Sequence, residues 1–534
     1  MKLSHRLVTG AMAAALLLSG CGLISTETLG IKQETEQVPT IHILLRGTAS
    51  GMDRVLEELY AQMDDAHRWN LEFTFVETAD YTQQLARSLT AHDNYDLVFD
   101  AQWISLTTQV EQNSYKNLKS YFNNPEYPAL QANFPQEYLA ANTVNGGVYA
   151  IPFTNTYYDI PGIFYRKDLL KALGLPFTEI VNREQMEQFW TAVQQNGIKA
   201  LSLGSRGFYE YNRPEISQRQ VGIWDIPGWS FWDYPSLVLL SRDGTTVLDV
   251  VFPGDDAARF AATGDEYQSN ILDDYLYANA ADNRWLAPED MLNESGIYAF
   301  LQGESASFEG TLNSGSGQIQ QQLRAALPQA EVAFWPYDAA FEKQNRSPGS
   351  IPTTYAAWNY LSVPSYNNNT EQTMRFLDWL YSDWSRVDLF NYGVEGVDWQ
   401  AIGENEYILL QPEGKPFSFP AYELAWNPQH HRVDASLPDS EKELMEFIFD
   451  SDSYVSSPLV GFTINTKAIG VELAGLNSLY SEYYTAFGHG AYGTSTQEKI
   501  EEFHARSEAI GLETVRAEIQ RQIQQHLDKK NDTK

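Results

Sequence analysis

Cysteine, positive charge and long apolar runs are scarce in this chain of 534 residues. The one cysteine, Cys21, cannot form an internal disulfide, so stability must come from burial of apolar side chains. Lysine and arginine number 36 against 70 acidic residues, which gives a formal net charge of −34. This balance argues against nucleic acids and anionic lipid surfaces as partners, because both attract positive charge. Beyond residue 20, no segment approaches the roughly 18 continuous apolar residues of a membrane-spanning helix.

The amino terminus has the pattern of an exported lipoprotein. A short basic opening precedes an apolar run at residues 7–18, which is too short to span a bilayer and indicates a secretory signal. Residues 18–21 (LSGC) resemble the lipobox of bacterial lipoproteins, in which a peptidase cleaves before a diacylglyceryl-modified cysteine. The resemblance implies a signal peptide at residues 1–20, lipidation of Cys21, and attachment to the outer face of the cell membrane. An ordinary signal peptide with an incidental cysteine is the alternative.

A polar, aperiodic stretch at residues 21–39 predicts a flexible tether in front of the folded body. The body is longer than one core usually allows, so two lobes are expected. Near its end, Leu512, Val515, Ile519, Ile523 and Leu527 recur at helical spacing and predict an amphipathic helix.

The body begins with alternating strand and helix patterns. Apolar periodicity predicts strands and helices in turn over residues 41–45, 52–63, 71–75, 81–89 and 97–99. This order predicts a parallel sheet covered by helices, and ligands of such sheets bind at the carboxyl ends of the strands. The rule nominates the residues directly after the strands, which are Arg46, Thr48, Asp100, Gln102 and Trp103.

A succession of segments resembles the family 1 extracellular solute-binding proteins. The segments are residues 145–152 (NGGVYAIP), 164–176 (FYRKDLLKALGLP), 376–383 (FLDWLYSD), 391–397 (NYGVEGV) and 461–465 (GFTIN). The last three match the long, sugar-type lipoprotein branch of that family. The resemblance runs in the right order through nearly all of residues 40–527.

That resemblance implies an α/β fold of the periplasmic-binding-protein type. Two α/β lobes would be joined by three hinge crossings, with the ligand cleft between them, and the crossings would lie near residues 152–158, 347–352 and 393–399. The implied segments are a first lobe of residues 40–153 and 350–392, a second lobe of residues 154–349 and 393–527, and a charged tail of residues 528–534.

Aromatic residues make up 13% of the chain and suit a sugar ligand. Their planes can cover the C–H face of a sugar ring, while carboxylate, amide and guanidinium groups bond its hydroxyls. Residues 307–315 resemble a family loop that faces the cleft but lack its usual Gly-Pro-Trp, which favours a polar role there. The candidate ligand-binding residues are Arg46, Thr48, Asp100, Trp103, Tyr157, Tyr158, Tyr209, Trp229, Glu309, Asn313, Trp358, Glu395 and Trp399.

The resemblance implies the lipid-anchored, extracytoplasmic solute-binding component of an ABC importer. Such a protein captures a sugar or oligosaccharide by hinge closure and delivers it to permease subunits, without catalysis. We expect a monomer with no cofactor, no metal and no nucleic-acid partner. The alternatives are a lipid-anchored glycosidase or lyase, which needs only well-placed carboxyls, and a sensory or surface lipoprotein with the same fold.

Overall fold

The first strand of the folded body shows why the sheet begins where it does. In the computed structural model, Ile41, Ile43, Leu44 and Leu45 are all fully buried in a strand that ends at Arg46. The structure describes residues 38–532 except for residues 145, 154–159, 204–221, 228–233, 257, 261–271, 273–283, 287–295, 313–315, 337–340, 344, 411, 413, 428 and 489. Residues 39–534 belong to one compact unit.

Strands and helices alternate through the first quarter of the body and then mix less regularly. The described strands are β1 (Thr40–Arg46), β2 (Asn70–Val76), β3 (Leu97–Asp100), β4 (Ile151–Phe153), β5 (Pro161–Arg166), β6 (Ile223–Trp224), β7 (Leu237–Leu240), β8 (Val247–Val251), β9 (Ser307–Thr311), β10 (Val332–Pro336), β11 (Ile351–Thr353), β12 (Asn359–Ser362), β13 (Trp399–Ile402), β14 (Glu406–Leu409), β15 (Val433–Asp434) and β16 (Tyr454–Ser456). The described α-helices are α1 (Met52–Ala61), α2 (Tyr81–Ala91), α3 (Leu106–Glu111), α4 (Lys119–Phe122), α5 (Pro128–Asn133), α6 (Gln136–Ala141), α7 (Lys167–Ala172), α8 (Arg183–Gln195), α9 (Gly296–Leu301), α10 (Ser316–Ala326), α11 (Thr370–Tyr381), α12 (Trp384–Asn391), α13 (Asp439–Phe449), α14 (Gly470–Gly488), α15 (Thr496–Ile510) and α16 (Leu512–Asp532).

The first core is built on a five-stranded sheet in the order β2-β1-β3-β12-β4. Strand β1 runs parallel to β2 and β3, so the predicted parallel sheet and its covering helices are confirmed. Strand β12 returns antiparallel to both β3 and β4. This core joins residues 41–153 to residues 357–425. The carboxyl ends of β1 and β3 and the amino end of β12 therefore lie at the same edge.

A second sheet, in the order β10-β5-β9, is antiparallel and buried on both faces, and the apolar residues packed on it form the second core. Along β5, Ile163 and Tyr165 pack on one face with Trp190 of α8, while Phe164 packs on the other with Phe334. This alternation follows from the two-residue period of a strand. Helices cover each face because each face is apolar.

The carboxyl-terminal helices α14 to α16 pack on the third sheet, β6-β7-β8. Val515, Ile519 and Ile523 of α16 are fully buried, which confirms the predicted apolar stripe. Helix α16 continues to Asp532, so most of the predicted charged tail is helical.

Two chain segments that leave the second core run side by side. Strand β11 pairs in parallel with β16, through Ile351 with Tyr454 and Thr353 with Ser456. The segment at residues 393–399, predicted as the third crossing, lies against the first core through Val394. The first core also holds Leu424 and Ala425, which the predicted division assigns to the second lobe. The lobe boundaries themselves stay a prediction.

Candidate functional site

Two exposed tryptophans meet at the carboxyl edge of the first sheet, through the side chain of Trp103 and the backbone of Trp358. Trp103 follows β3 and is 38% exposed, and Trp358 precedes β12 and is 44% exposed. Because β12 pairs antiparallel with β3, with Tyr360 opposite Asp100, the residues flanking these strand ends are brought together. The indole Nε1 of Trp103 donates to the carbonyl oxygen of Trp358 at 2.9 Å.

Arg46, at the end of β1, covers Trp103 from the inner side. Its guanidinium carbon lies 4.7 Å from the centroid of the Trp103 ring, a cation–π distance. Its Nη2 donates to the Tyr422 hydroxyl at 3.0 Å. We call Arg46, Trp103, Trp358 and Tyr422 the tryptophan platform. It combines aromatic surface with polar groups at the edge where the parallel-sheet rule predicts a ligand.

A buried carboxylate holds Arg46 in place. The Glu423 side chain is fully buried in the short 3₁₀ helix Ala421–Glu423. Its Oε2 accepts from the backbone N–H of Arg46 at 2.7 Å, and its Oε1 accepts from Nε of Arg46 at 3.3 Å. Burial raises the pKa of Glu423 to about 7, and the contacts with Arg46 act in the opposite direction. The Glu423 carboxyl can therefore gain or lose a proton near neutral pH.

Asp100 is fully buried beneath the turn that carries Trp103. Its carboxylate accepts from the backbone N–H groups of Ala101 and Ser105, at 2.8 and 3.1 Å, and from the Tyr115 hydroxyl at 2.6 Å. Burial raises its pKa to about 6, while the hydrogen bond from Tyr115 lowers it. The structure thus places Asp100 inside the core, where it shapes the turn.

Asn142 fixes the loop that carries Trp358. Its Oδ1 accepts from the Ala357 N–H at 2.7 Å and from the Tyr360 hydroxyl at 2.8 Å, and its Nδ2 donates to the Tyr355 carbonyl at 2.9 Å. Tyr355 has φ 54°, in the left-handed region that non-glycine residues rarely adopt. Such a conformation persists only where surrounding contacts enforce it.

The other described candidates do not join the platform through any contact that we observe. Thr48 is exposed in the loop after β1. Glu309 is buried on β9, where its N–H donates to the Ser202 carbonyl. Glu395 is exposed and accepts from Gln400 at 3.2 Å.

Trp399 is buried rather than open to solvent. Its Nε1 donates to the Gly393 carbonyl at 3.1 Å, and its ring packs 5.4 Å from that of Tyr392. The guanidinium of Arg432 lies 5.1 Å from the ring centroid. Trp399 therefore packs inside the protein in this structure.

Gln102, which was also nominated by the strand-end rule, lies next to Trp103, and its side-chain oxygen accepts from the Thr107 hydroxyl.

Part of the predicted set lies outside the described residues. These candidates are Cys21, Tyr157, Tyr158, Tyr209, Trp229 and Asn313.

Tyr422, Glu423 and Asn142 were not predicted from the sequence. Glu423 lies 377 positions after the Arg46 that it pairs with. The surrounding residues 420–427 (PAYELAWN) show no periodicity or motif that indicates a site. A buried glutamate at a strand end is visible only once the distant segment is folded against it.

Among the described residues, no group of three or more His, Cys, Asp and Glu side chains is arranged to hold a metal ion. Nor does any helix in that part of the chain combine the length and apolar character needed to cross a membrane.

Comparisons with known proteins identify the fold. A curated carbohydrate ABC transporter substrate-binding protein of Streptococcus pneumoniae serotype 4 is 20% identical over 535 residues, which cover 97% of each chain. The crystal structure of the N-glycan transport solute-binding protein NgtS of S. pneumoniae matches with a TM-score of 0.68 at 17% identity, over 92% of this chain and 100% of NgtS. The chain has the fold of ABC-transporter solute-binding proteins.

Further matches have the same fold. NgtS in complex with Man5GlcNAc matches with a TM-score of 0.62 at 18% identity, over 92% of this chain and 99% of that one. An HMO-binding, ABC-transporter-associated solute-binding protein of Bifidobacterium longum infantis matches with a TM-score of 0.57 at 13% identity, over 92% and 99%. Residues 458–528 match a domain of unknown function (DUF3502), which corresponds to helices α14 to α16. The predicted fold class and the resemblance to solute-binding proteins are thereby confirmed.

Proposed function

We propose that the protein is the extracytoplasmic solute-binding component of an ABC importer and that it captures an oligosaccharide without altering it. The tryptophan platform carries this proposal. Exposed indole planes suit the C–H faces of sugar rings, and the adjacent polar groups suit hydroxyls. The fold and the carbohydrate-related names of the relatives support the same class of function.

The mechanism follows from a two-lobed fold. The first core would form one lobe, and the cores built on the second and third sheets would form the other. Ligand contacts made from both lobes favour the closed state, because a ligand shifts an equilibrium only by its differential affinity for the two states. We propose that the paired strands β11 and β16 and the chain between Ala425 and Asp439 belong to the hinge, since both join the cores.

A lipid anchor and a permease complete the proposal. Lipidation of Cys21 would tether a monomer to the outer face of the cell membrane, and residues 21–39 would form a flexible linker between the lipid and the folded body. Separate permease subunits would take the ligand from the closed form. Replacing Cys21 with Ser should move the protein from the membrane fraction to the soluble fraction without changing ligand affinity, and membrane retention of this variant would contradict lipid anchoring.

Thermal shifts with a panel of oligosaccharides test the binding function. Man5GlcNAc and HMO preparations should raise the Tm if they bind the native state, by the mass-action term for a ligand. Trp103→Ala and Trp358→Ala should each weaken binding by about 2 kcal/mol, or roughly 30-fold, as expected for an aromatic anchor. Calorimetry measures the affinity of each variant.

Tyr60→Ala is the matched control. The exposed fraction of Tyr60 is 37%, nearly the same as the 38% of Trp103. Tyr60 lies at the opposite edge of the sheet, where its hydroxyl accepts from the Leu71 N–H near the start of β2. Its loss should leave affinity unchanged. Chromatography of the oligosaccharide after incubation should show it intact, and cleavage by the purified protein would favour the glycosidase or lyase alternative.

A further inference from the structure

We propose that the Arg46–Glu423 pair is a positioning device for Trp103, which makes presentation of the indole to ligand depend on pH. The inference deepens the proposed function and rests on it for the link to affinity. Its structural part concerns only the orientation of one ring and can be measured without a ligand.

The Trp103 ring is held by its neighbours but stays partly exposed to solvent. The Arg46 guanidinium lies over the ring at 4.7 Å, yet Trp103 remains 38% exposed. The indole N–H is held by the Trp358 carbonyl at 2.9 Å. An indole that is stacked on one side and hydrogen-bonded at its edge has little freedom to turn, which is the preorganisation that a binding surface needs.

Arg46 can support the ring only while it is held itself. Arginine side chains have many rotamers, and a planar guanidinium is fixed best by a carboxylate that accepts from it in its own plane. Glu423, whose side chain is fully buried, accepts from Nε of Arg46 at 3.3 Å and from the Arg46 backbone N–H at 2.7 Å. The chain of contacts runs from Glu423 through Arg46 to Trp103.

The charge on Glu423 sets the strength of this hold. The charged and titratable groups that face it are Arg46 from β1, Tyr81 from α2 and its neighbour Tyr422, and Asp100 lies beyond Tyr81. Burial raises the pKa of Tyr81 well above its usual value, so Tyr81 stays neutral. Ionised Glu423 binds the guanidinium through charge-assisted hydrogen bonds, and the protonated form binds it more weakly.

Fluorine NMR of protein labelled with 5-fluorotryptophan gives the direct test. The Trp103 resonance is assigned by its absence in Trp103→Phe. Between pH 8 and pH 5 it should shift in the wild type, and this shift should disappear in Glu423→Gln. A Trp103 resonance that does not move in the wild type, or that moves equally in Glu423→Gln, would overturn the proposal.

The affinity for Man5GlcNAc gives the functional test. We expect wild-type binding to be about fivefold weaker at pH 5 than at pH 8, the difference between a charged and a neutral hydrogen-bonded pair. Glu423→Gln should bind with the weaker affinity at both pH values. If the wild type binds no oligosaccharide but the fluorine titration behaves as expected, the proposed function fails and the positioning role stands.

Three variants separate this role from general effects of buried acids. Glu441 is also buried with a pKa raised to about 7 by burial, but it bonds Ser316 and Phe334 in the second core, so Glu441→Gln should leave the Trp103 titration intact. Asp100→Asn removes the other carboxyl near Trp103. If Asp100→Asn abolishes the titration and Glu423→Gln does not, Glu423 is not the controlling group. If Glu423→Gln does not fold, Arg46→Lys is the substitute variant. It keeps the positive charge but lacks the planar guanidinium group, so the Trp103 resonance should move at pH 8.

Discussion

Removing Arg54 alone from its ion pair with Asp398 should destabilise the protein more than removing one partner of an exposed pair. Arg54 lies in the first turn of α1, and Asp398 lies in the segment that follows α12. Nε and Nη2 of Arg54 donate to the two carboxylate oxygens at 2.9 and 2.5 Å. The Asp398 side chain is only 2% exposed, and it also accepts from the Val394 N–H at 2.9 Å.

Replacing Arg54 with Met leaves this buried carboxylate with the backbone of Val394 as its one remaining donor among those we observe. Breaking a buried pair from one side costs about 3–5 kcal/mol, because the other charge stays desolvated. The retained bond to Val394 places the expected loss at the lower end, about 3 kcal/mol. The double variant Arg54→Met/Asp398→Leu removes both charges and should recover much of this loss.

Thermal and denaturant unfolding of the four proteins in this cycle measure the coupling. Arg375→Met is the matched control, because Arg375 pairs with Glu371 at 2.9 Å on the exposed face of α11. An exposed pair of this kind is worth about 0.5 kcal/mol or less. A loss for Arg54→Met that is no larger than that for Arg375→Met would refute the reasoning.

The remaining predictions concern a loop, a glycine and a buried acid. Asn142→Ala removes three hydrogen bonds from the Trp358 loop and should lower the free energy of unfolding by about 3 kcal/mol, measured by denaturant unfolding. Gly393→Ala combines φ 88° with a Cβ only 2.6 Å from Asp398, so its Tm should fall further than that of Gly396→Ala, where φ is 78° but no atom lies within 4 Å. The pKa of Glu441 is raised by burial to about 7, so its contribution to stability is present below about pH 4.5 and is lost as the pH rises through 7. Unfolding free energies at pH 5 and pH 8 should therefore differ less in Glu441→Gln than in the wild type, by about 3 kcal/mol at most.

The sequence predicted the first sheet well because its signal is local. Strands β1 and β3 contain short apolar runs, β2 alternates apolar with polar residues, and each helix between them has its own periodicity. The rule that ligands lie at the carboxyl edge then located Arg46 and Trp103 correctly at one edge. The rule does not predict whether a side chain at that edge points to solvent or into the core. Asp100 lies at the same edge, but its side chain is fully buried.

Long-range packing explains the rest of the difference. Glu423 pairs with a residue 377 positions away, so no window of sequence contains both partners. Trp399 was expected at a crossing, but its ring is enclosed by Tyr392 and Arg432, and the crossing segment is held to the first core by Arg54. Asn142 has no motif at all, and its importance arises from three partners in a loop more than 200 residues later.

The parallel pairing of β11 with β16 has a consequence for how insertions and deletions would act on this protein. Ile351 and Tyr454 share one rung of a three-rung ladder, so neither strand can slide without the other. One added residue in either strand would turn every later side chain of that strand to the opposite face. Length changes are therefore expected to be rejected at this ladder.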